Sequence, residues 1–136
     1  MHEGGCLCGS IRFRFGTTDI TCAICYCRDC QYISGGEPAA VVRVRRNSLT
    51  IDGSPTEYLS IADSGTEVSR SFCPRCGTPL FASNPKDPEY IAVKAGALDD
   101  PSIFDAQLNV WPESAQSWHS VDDSLPRYLG TNKHDC

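Results

Sequence analysis

The chain has 136 residues, a formal net charge of −5 and nine cysteines. That length makes one domain with a core of its own, and the acidic balance excludes a protein that binds nucleic acid through phosphate contacts. No apolar run approaches the roughly 20 residues of a membrane span, and Met1-His2-Glu3-Gly4-Gly5 lacks the basic and apolar segments of a secretory signal, so the expected setting is the cytoplasm, without a membrane partner.

Taken in chain order, the apolar pattern has mostly a period of two. Ile11-Arg12-Phe13-Arg14-Phe15 alternates as a half-buried strand does. A short helix is predicted over 29–34, a stretch free of glycine and proline that Gly35-Gly36 ends, with Asp29 as its cap. Alternation resumes in Val42-Arg43-Val44-Arg45, whose arginines read as a solvated strand face rather than a binding patch. Further strands are predicted over 49–51, 57–59, 68–72, 80–82, 90–94 and 107–111, separated by turn signals such as Asp52-Gly53 and Asp99-Asp100-Pro101. The expected fold is therefore mainly β, built of short strands with at most one or two short helices. One domain is expected over 1–130, followed by a polar, disordered tail over 131–136. Short strands leave a small core, so bound metal would contribute folding energy as well as chemistry.

Cysteine spacing points to that metal. In a reducing compartment, nine cysteines are thiols or ligands, and pairs two or three residues apart converge on one ion when the backbone between them turns. Cys6-Leu7-Cys8-Gly9 and Cys73-Pro74-Arg75-Cys76-Gly77 are two such pairs, and together they make a closed four-thiolate, structural zinc site. A second site is expected on Cys25, Cys27 and Cys30. Cys22 precedes Cys25 by the same spacing that separates Cys27 from Cys30, so spacing alone leaves two alternatives. With Cys22 as fourth ligand the site is closed, and without it the fourth position is open to water or substrate, as in catalytic zinc. Two zinc ions on seven thiolates lower the net charge from −5 by three, and eight thiolates lower it by four.

Gly4-Gly5-Cys6-Leu7-Cys8-Gly9-x-Ile11-x-Phe13, Cys25-x-Cys27-Arg28-Asp29-Cys30-Gln31 and Phe72-Cys73-Pro74-Arg75-Cys76-Gly77-Thr78-Pro79-Leu80 resemble, in order and spacing, the glutathione-dependent formaldehyde-activating (GFA) enzyme family, whose domain is also that of centromere protein V. The likeness continues through Gly96-Ala97-Leu98-Asp99-Asp100-Pro101, Trp111-Pro112-Glu113-Ser114 and Trp118 to Leu125-Pro126-Arg127-Tyr128, and so covers nearly the whole chain. The resemblance implies a β-tent fold and two zinc ions per chain. The structural ion would be held by Cys6, Cys8, Cys73 and Cys76, the catalytic ion by Cys25, Cys27 and Cys30, with Cys22 a bystander. It further implies a carbon-sulfur lyase chemistry on a small-molecule thiol, glutathione, and its formaldehyde adduct S-hydroxymethylglutathione. The family commonly has histidine where this chain has Tyr26 and Asn109, so an imidazole proton shuttle is missing at both places.

A glutathione-like ligand brings carboxylates, and Arg28, Arg70, Arg75 and Lys94 are the candidate cations, with Arg28 nearest in sequence to the second site. Trp111 is a candidate wall of a substrate pocket, although it and Trp118 read first as core residues. His119 is a candidate acid or base, Glu113 could orient a ligand, and the terminal thiol of Cys136 is a site for cross-linking on oxidation. Three readings follow: a GFA-type enzyme, a module that captures a thiol without turnover, and a two-zinc structural or interaction protein whose second site Cys22 closes.

Overall fold

A pattern of exposed, buried, exposed, buried side chains over Arg12–Phe15 makes strand β2, which sits between β1 (His2–Gly5) and β5 (Leu49–Asp52) in an antiparallel sheet of order β1-β2-β5. The computed structural model describes residues 1–62 and 65–128; the expected tail, with Cys136, lies outside them. The remaining strands are β3 (Thr21–Cys25), β4 (Ala39–Arg45), β6 (Thr56–Ile61), β7 (Glu67–Phe72), β8 (Pro79–Ser83), β9 (Tyr90–Lys94), β10 (Leu108–Val110) and β11 (Arg127–Tyr128). They form one sheet of order β11-β10-β3-β4-β9-β8-β7-β6, antiparallel except where β10 lies parallel to β3 and to β11. The chain is mainly β, as expected, with a single α-helix, α1 (Arg28–Ile33), among the described residues. No helix among them is long and apolar enough to cross a membrane.

The two faces of the large sheet carry two cores. On one face Cys22, Val42, Val44, Leu80, Phe81 and Val93 pack with Ile11, Phe13 and Phe15 of the small sheet. Phe15 is fully buried there, and its truncation to alanine would cost about 3–5 kcal/mol. Gly4 is needed for this closure: a Cβ there would overlap the carbonyl oxygen of Ala97 and the ring of Phe13. On the other face Ala23, Cys25, Ala39, Val41 and Val110 pack with Cys30 of α1, and Trp111 and Tyr128 complete the cluster.

Three strands were not expected. β1 contains Gly4 and Gly5, β11 is two residues long, and β3 is dominated by cysteine and alanine, so none carries the β-branched alternation that marks a strand. The helix cap also differs. Cys27, not Asp29, is the N-cap, its sulfur accepting from the Cys30 N–H at 3.3 Å, while Asp29 lies in the first turn, 3.7 Å from Arg70. A sulfur already fixed at the end of β3 leaves the carboxylate free to turn toward a cation.

Candidate metal centres

The first sulfur group lies where the β1–β2 turn meets the β7–β8 turn. Gly9, at φ +79°, donates to the Cys6 carbonyl at 3.0 Å, and Gly77, at φ +77°, donates to the Cys73 carbonyl at 2.8 Å. Each turn thereby points both of its sulfurs inward, in a left-handed conformation that glycine adopts at no cost. The sulfurs of Cys6, Cys8, Cys73 and Cys76 all lie within 4.8 Å of one another, a spacing that closes readily to zinc-sulfur bonds of about 2.3 Å.

Backbone amides surround this group. The Ile11 N–H donates to the Cys6 sulfur at 3.3 Å, and the Arg75 and Cys76 N–H groups point at the Cys73 sulfur at 3.4 and 3.5 Å. The Ser10 hydroxyl stands 3.2 Å from the Cys8 sulfur and 3.3 Å from that of Cys73, and the Thr78 hydroxyl stands 3.1 Å from that of Cys76. Burial pushes the Cys6 thiol up, but the Ser10 hydroxyl and the Ile11 amide outweigh it and bring the group down to about 7. The Thr78 hydroxyl and backbone bring Cys76 down to about 5. Ser10 and Thr78 were not singled out from sequence; a hydroxyl two residues after a ligand cysteine, present in both turns, is the signal that finds them.

The second sulfur group spans the end of β3 and the start of α1. Cys25, Cys27 and Cys30 bring their sulfurs within 4.8 Å of one another, Cys25 and Cys30 being fully buried. Cys22 does not join them. It stands three residues before Cys25 on the same strand, so its side chain enters the opposite core beside Val42.

Two buried cations stand by these sulfurs. The side chain of Arg70, on β7, is 5% exposed and donates to the Ser60 hydroxyl at 3.1 Å. Lys94, at the end of β9, is buried, and its Nζ makes no hydrogen bond among the described residues. The Cys27 thiol, donating to the Cys30 sulfur, lowers Cys30 to about 6 against the opposing effect of burial, with help from Lys94 and Arg70. Cys27, as the donor, is raised.

The other candidates stand elsewhere. Arg28 turns back to the Gln31 side chain, with its guanidinium carbon 5.1 Å from the Tyr32 ring centre, and Arg75 lies in the first group's turn. The strand register brings Arg70 and Lys94 to the second group as well. Trp111 packs against the second group from the left-handed conformation, φ 51°, where a bulky residue is held only by its surroundings. Trp118 is 60% exposed, so it is not a core residue, and its ring meets His119 edge-on.

His119 is held at both nitrogens. Nδ1 accepts from the Gln116 N–H at 2.9 Å, which puts the proton on Nε2, facing the Gly36 carbonyl at 2.8 Å. Tyr26 donates to the Ser120 carbonyl at 3.3 Å, and Asn109 to the Asp122 carbonyl at 2.9 Å. Glu113 lies 3.7 Å from Arg127. Gln31, unexplained by sequence, is buried next to Cys30. Its amide nitrogen donates to the carbonyls of Tyr26 at 2.7 Å and Ser114 at 3.0 Å, tying the cysteine loop to the segment that follows Trp111.

Comparison with known proteins agrees with this geometry. The sequence profile of the glutathione-dependent formaldehyde-activating enzyme family matches residues 1–114, which include both sulfur groups. A protein of Halomonas elongata, named as a glutathione-dependent formaldehyde-activating enzyme, is 31% identical over 130 residues, covering 90% of this chain and 82% of its own. Among solved structures, a Rhodobacter sphaeroides protein superposes with a TM-score of 0.59 at 20% identity, over 76% of this chain and 96% of that one, a likeness of fold.

Proposed function

The chain belongs to the family of glutathione-dependent formaldehyde-activating enzymes, and from that premise we propose that it holds two zinc ions and makes or breaks the carbon-sulfur bond of a thiol-aldehyde adduct of the S-hydroxymethylglutathione kind. Cys6, Cys8, Cys73 and Cys76 hold the structural ion, and Cys25, Cys27 and Cys30 hold the other with its fourth position open. The donor sets fit zinc: four sulfurs close a shell, three leave a vacancy, and the two buried cations beside the three offset the net negative charge that three thiolates leave on a divalent ion. When bound in the open site, zinc supplies a Lewis acid and a resting place for a substrate thiolate.

The observation that carries this reading is the opposed orientation of Cys22 and Cys25, which leaves three sulfurs from the described residues at the second group. In the synthetic direction the substrate thiol loses its proton, its sulfur forms a bond to the aldehyde carbon, and the carbonyl oxygen gains a proton. Trp111 walls the group, and Gln31 holds its loop in place. The test is to load the reduced protein with zinc and measure adduct formation from glutathione and formaldehyde against the uncatalysed rate. A rate above that background, lost in Cys27→Ser, supports the enzyme.

A second reading, thiol capture without turnover, draws on the neutral clasp of His119 and on the hydrogen bonds that commit Tyr26 and Asn109 to backbone carbonyls. None of the three is then available to move a proton. Saturable glutathione binding with no gain over the background rate would favour it.

A further inference from the structure

Between the two sulfur groups the end of the large sheet opens into a cleft of about 280 Å³, close to the lower end of the range for small-molecule sites. Its walls are the end of α1 at Ile33 and Ser34, the start of β4 at Ala39, the start of β8 at Thr78, and Lys94 with Gly96 beyond β9. Thr78 connects it to the first group, since its hydroxyl contacts the Cys76 sulfur and accepts from the Leu7 N–H at 3.0 Å. Ser34 and Ala39 connect it to the second, since the Ser34 N–H donates to the Cys30 carbonyl at 2.9 Å and Ala39 packs with Cys25 and Cys30. The rest of the lining is small or apolar, so Lys94 is the one cationic side chain among the lining residues.

A lysine ammonium carries three donors, and burying it without an acceptor is costly. Nζ of Lys94 is covered and has no hydrogen-bond partner among the described residues, yet its side chain lines an open cleft. Asp29, the acid of the second group's helix, faces Arg70 instead. We propose that this cleft is a carboxylate subsite: a thiol substrate reaches the second group with its sulfur while a carboxylate of the same molecule lies in the cleft against Lys94. The inference rests on the function proposed above and adds the place where the substrate's carboxylate is held, the cleft beside Lys94. Arg70 remains the countercharge of the sulfurs, paired with Asp29 and Ser60.

The experiment uses the reduced, metal-loaded protein with cobalt at the second group, whose absorption reports sulfur binding directly. Glutathione, its diethyl ester, 3-mercaptopropionate and cysteamine are titrated into the parent chain and into two variants. Lys94→Met removes the charge. Gly96→Leu fills the cleft without touching it, because a Cβ at Gly96 meets nothing within 4 Å. The expected result is that the carboxylate thiols bind the parent about tenfold or more tighter than the ester and the amine, that Lys94→Met levels the four, and that Gly96→Leu weakens the two acids selectively.

Three results would overturn the subsite. The parent could show no preference for the acids. The preference could survive both variants. Lys94→Met could alter the cobalt spectrum before any thiol is added and weaken all four thiols equally, which would make Lys94 a countercharge only. In each of these cases thiols still perturb the cobalt, and the proposed function stands. If no thiol perturbs it, both readings fall together. Should Lys94→Met not fold, Lys94→Arg with Gly96→Leu gives the same contrast, since arginine keeps the preference and the filled cleft removes it.

Discussion

Cys22 and Cys25, three residues apart on one strand, face opposite cores: Cys22 packs with Val42 behind the small sheet, and Cys25 meets Cys30 across the other face. Cys22→Ser should therefore keep both zinc ions per chain and lose about 1 kcal/mol through a polar atom in an apolar core. Cys25→Ser should keep one. Metal content of the purified, reduced variants, measured by mass spectrometry, checks this, and loss of zinc from Cys22→Ser would return the closed second site.

The Gln31 amide supplies the donor for two carbonyls, those of Tyr26 and Ser114. In Gln31→Leu both are left without it inside the protein, at about 1–3 kcal/mol each. Urea unfolding of the zinc-loaded variant should show a loss in the range of about 2–6 kcal/mol, and zinc should leave the second group about tenfold more readily to a chelator, as when a residue supporting metal ligands is removed.

Acid should weaken the metal-free protein through the first group. Cys76 titrates at about 5 in the folded chain against an ordinary 9.0, so its thiolate stabilises the fold above the ordinary value, and that contribution is lost as pH falls through the folded value. Between these limits the unfolded chain binds the extra proton, and stability rises with pH. Melting temperatures of the reduced, metal-free chain should climb from about pH 5 to pH 9, and Cys76→Ser should flatten the slope.

If His119 is a clasp, its replacement should show in stability and not in chemistry. His119→Gln loses the bond to the Gly36 carbonyl or the one from Gln116, at about 1 kcal/mol. The pH profile of adduct formation should keep its shape. A profile that loses one limb in this variant would reinstate the imidazole as acid or base.

What the sequence disclosed follows the range of the interactions involved. The cysteine pairs declare themselves because two ligands two or three residues apart must share an ion, and the alternation of Phe13 and Phe15 reports a half-buried strand from within the strand itself. Lys94 and Arg70 could not be ranked above Arg28 because their place beside the second group depends on strand pairing: Val41 faces Lys94 across β4 and β9, and Arg70 faces Ala82 across β7 and β8. The strand β3 was hidden because its residues answer to sulfur chemistry and to Gln107, whose side chain takes the Cys22 N–H at 2.8 Å, rather than to strand propensity. Trp111 reads as core and does pack in the second core, beside the cysteines, but its left-handed backbone at φ 51° has no mark in the sequence.

The two sulfur groups differ in how much chain must exist before each can close. Cys25, Cys27 and Cys30 lie within six consecutive residues, whereas Cys8 meets Cys73 across 65 positions. On a growing chain, the short group has all its sulfurs once Cys30 has emerged, while the long one must wait for Cys76 and then bear the entropy of a large loop. Metal supplied during synthesis would therefore meet the three-sulfur group first and the four-sulfur group last. A chain halted before Cys76 would present a thiolate trio with nothing yet to fasten its N-terminal sheet.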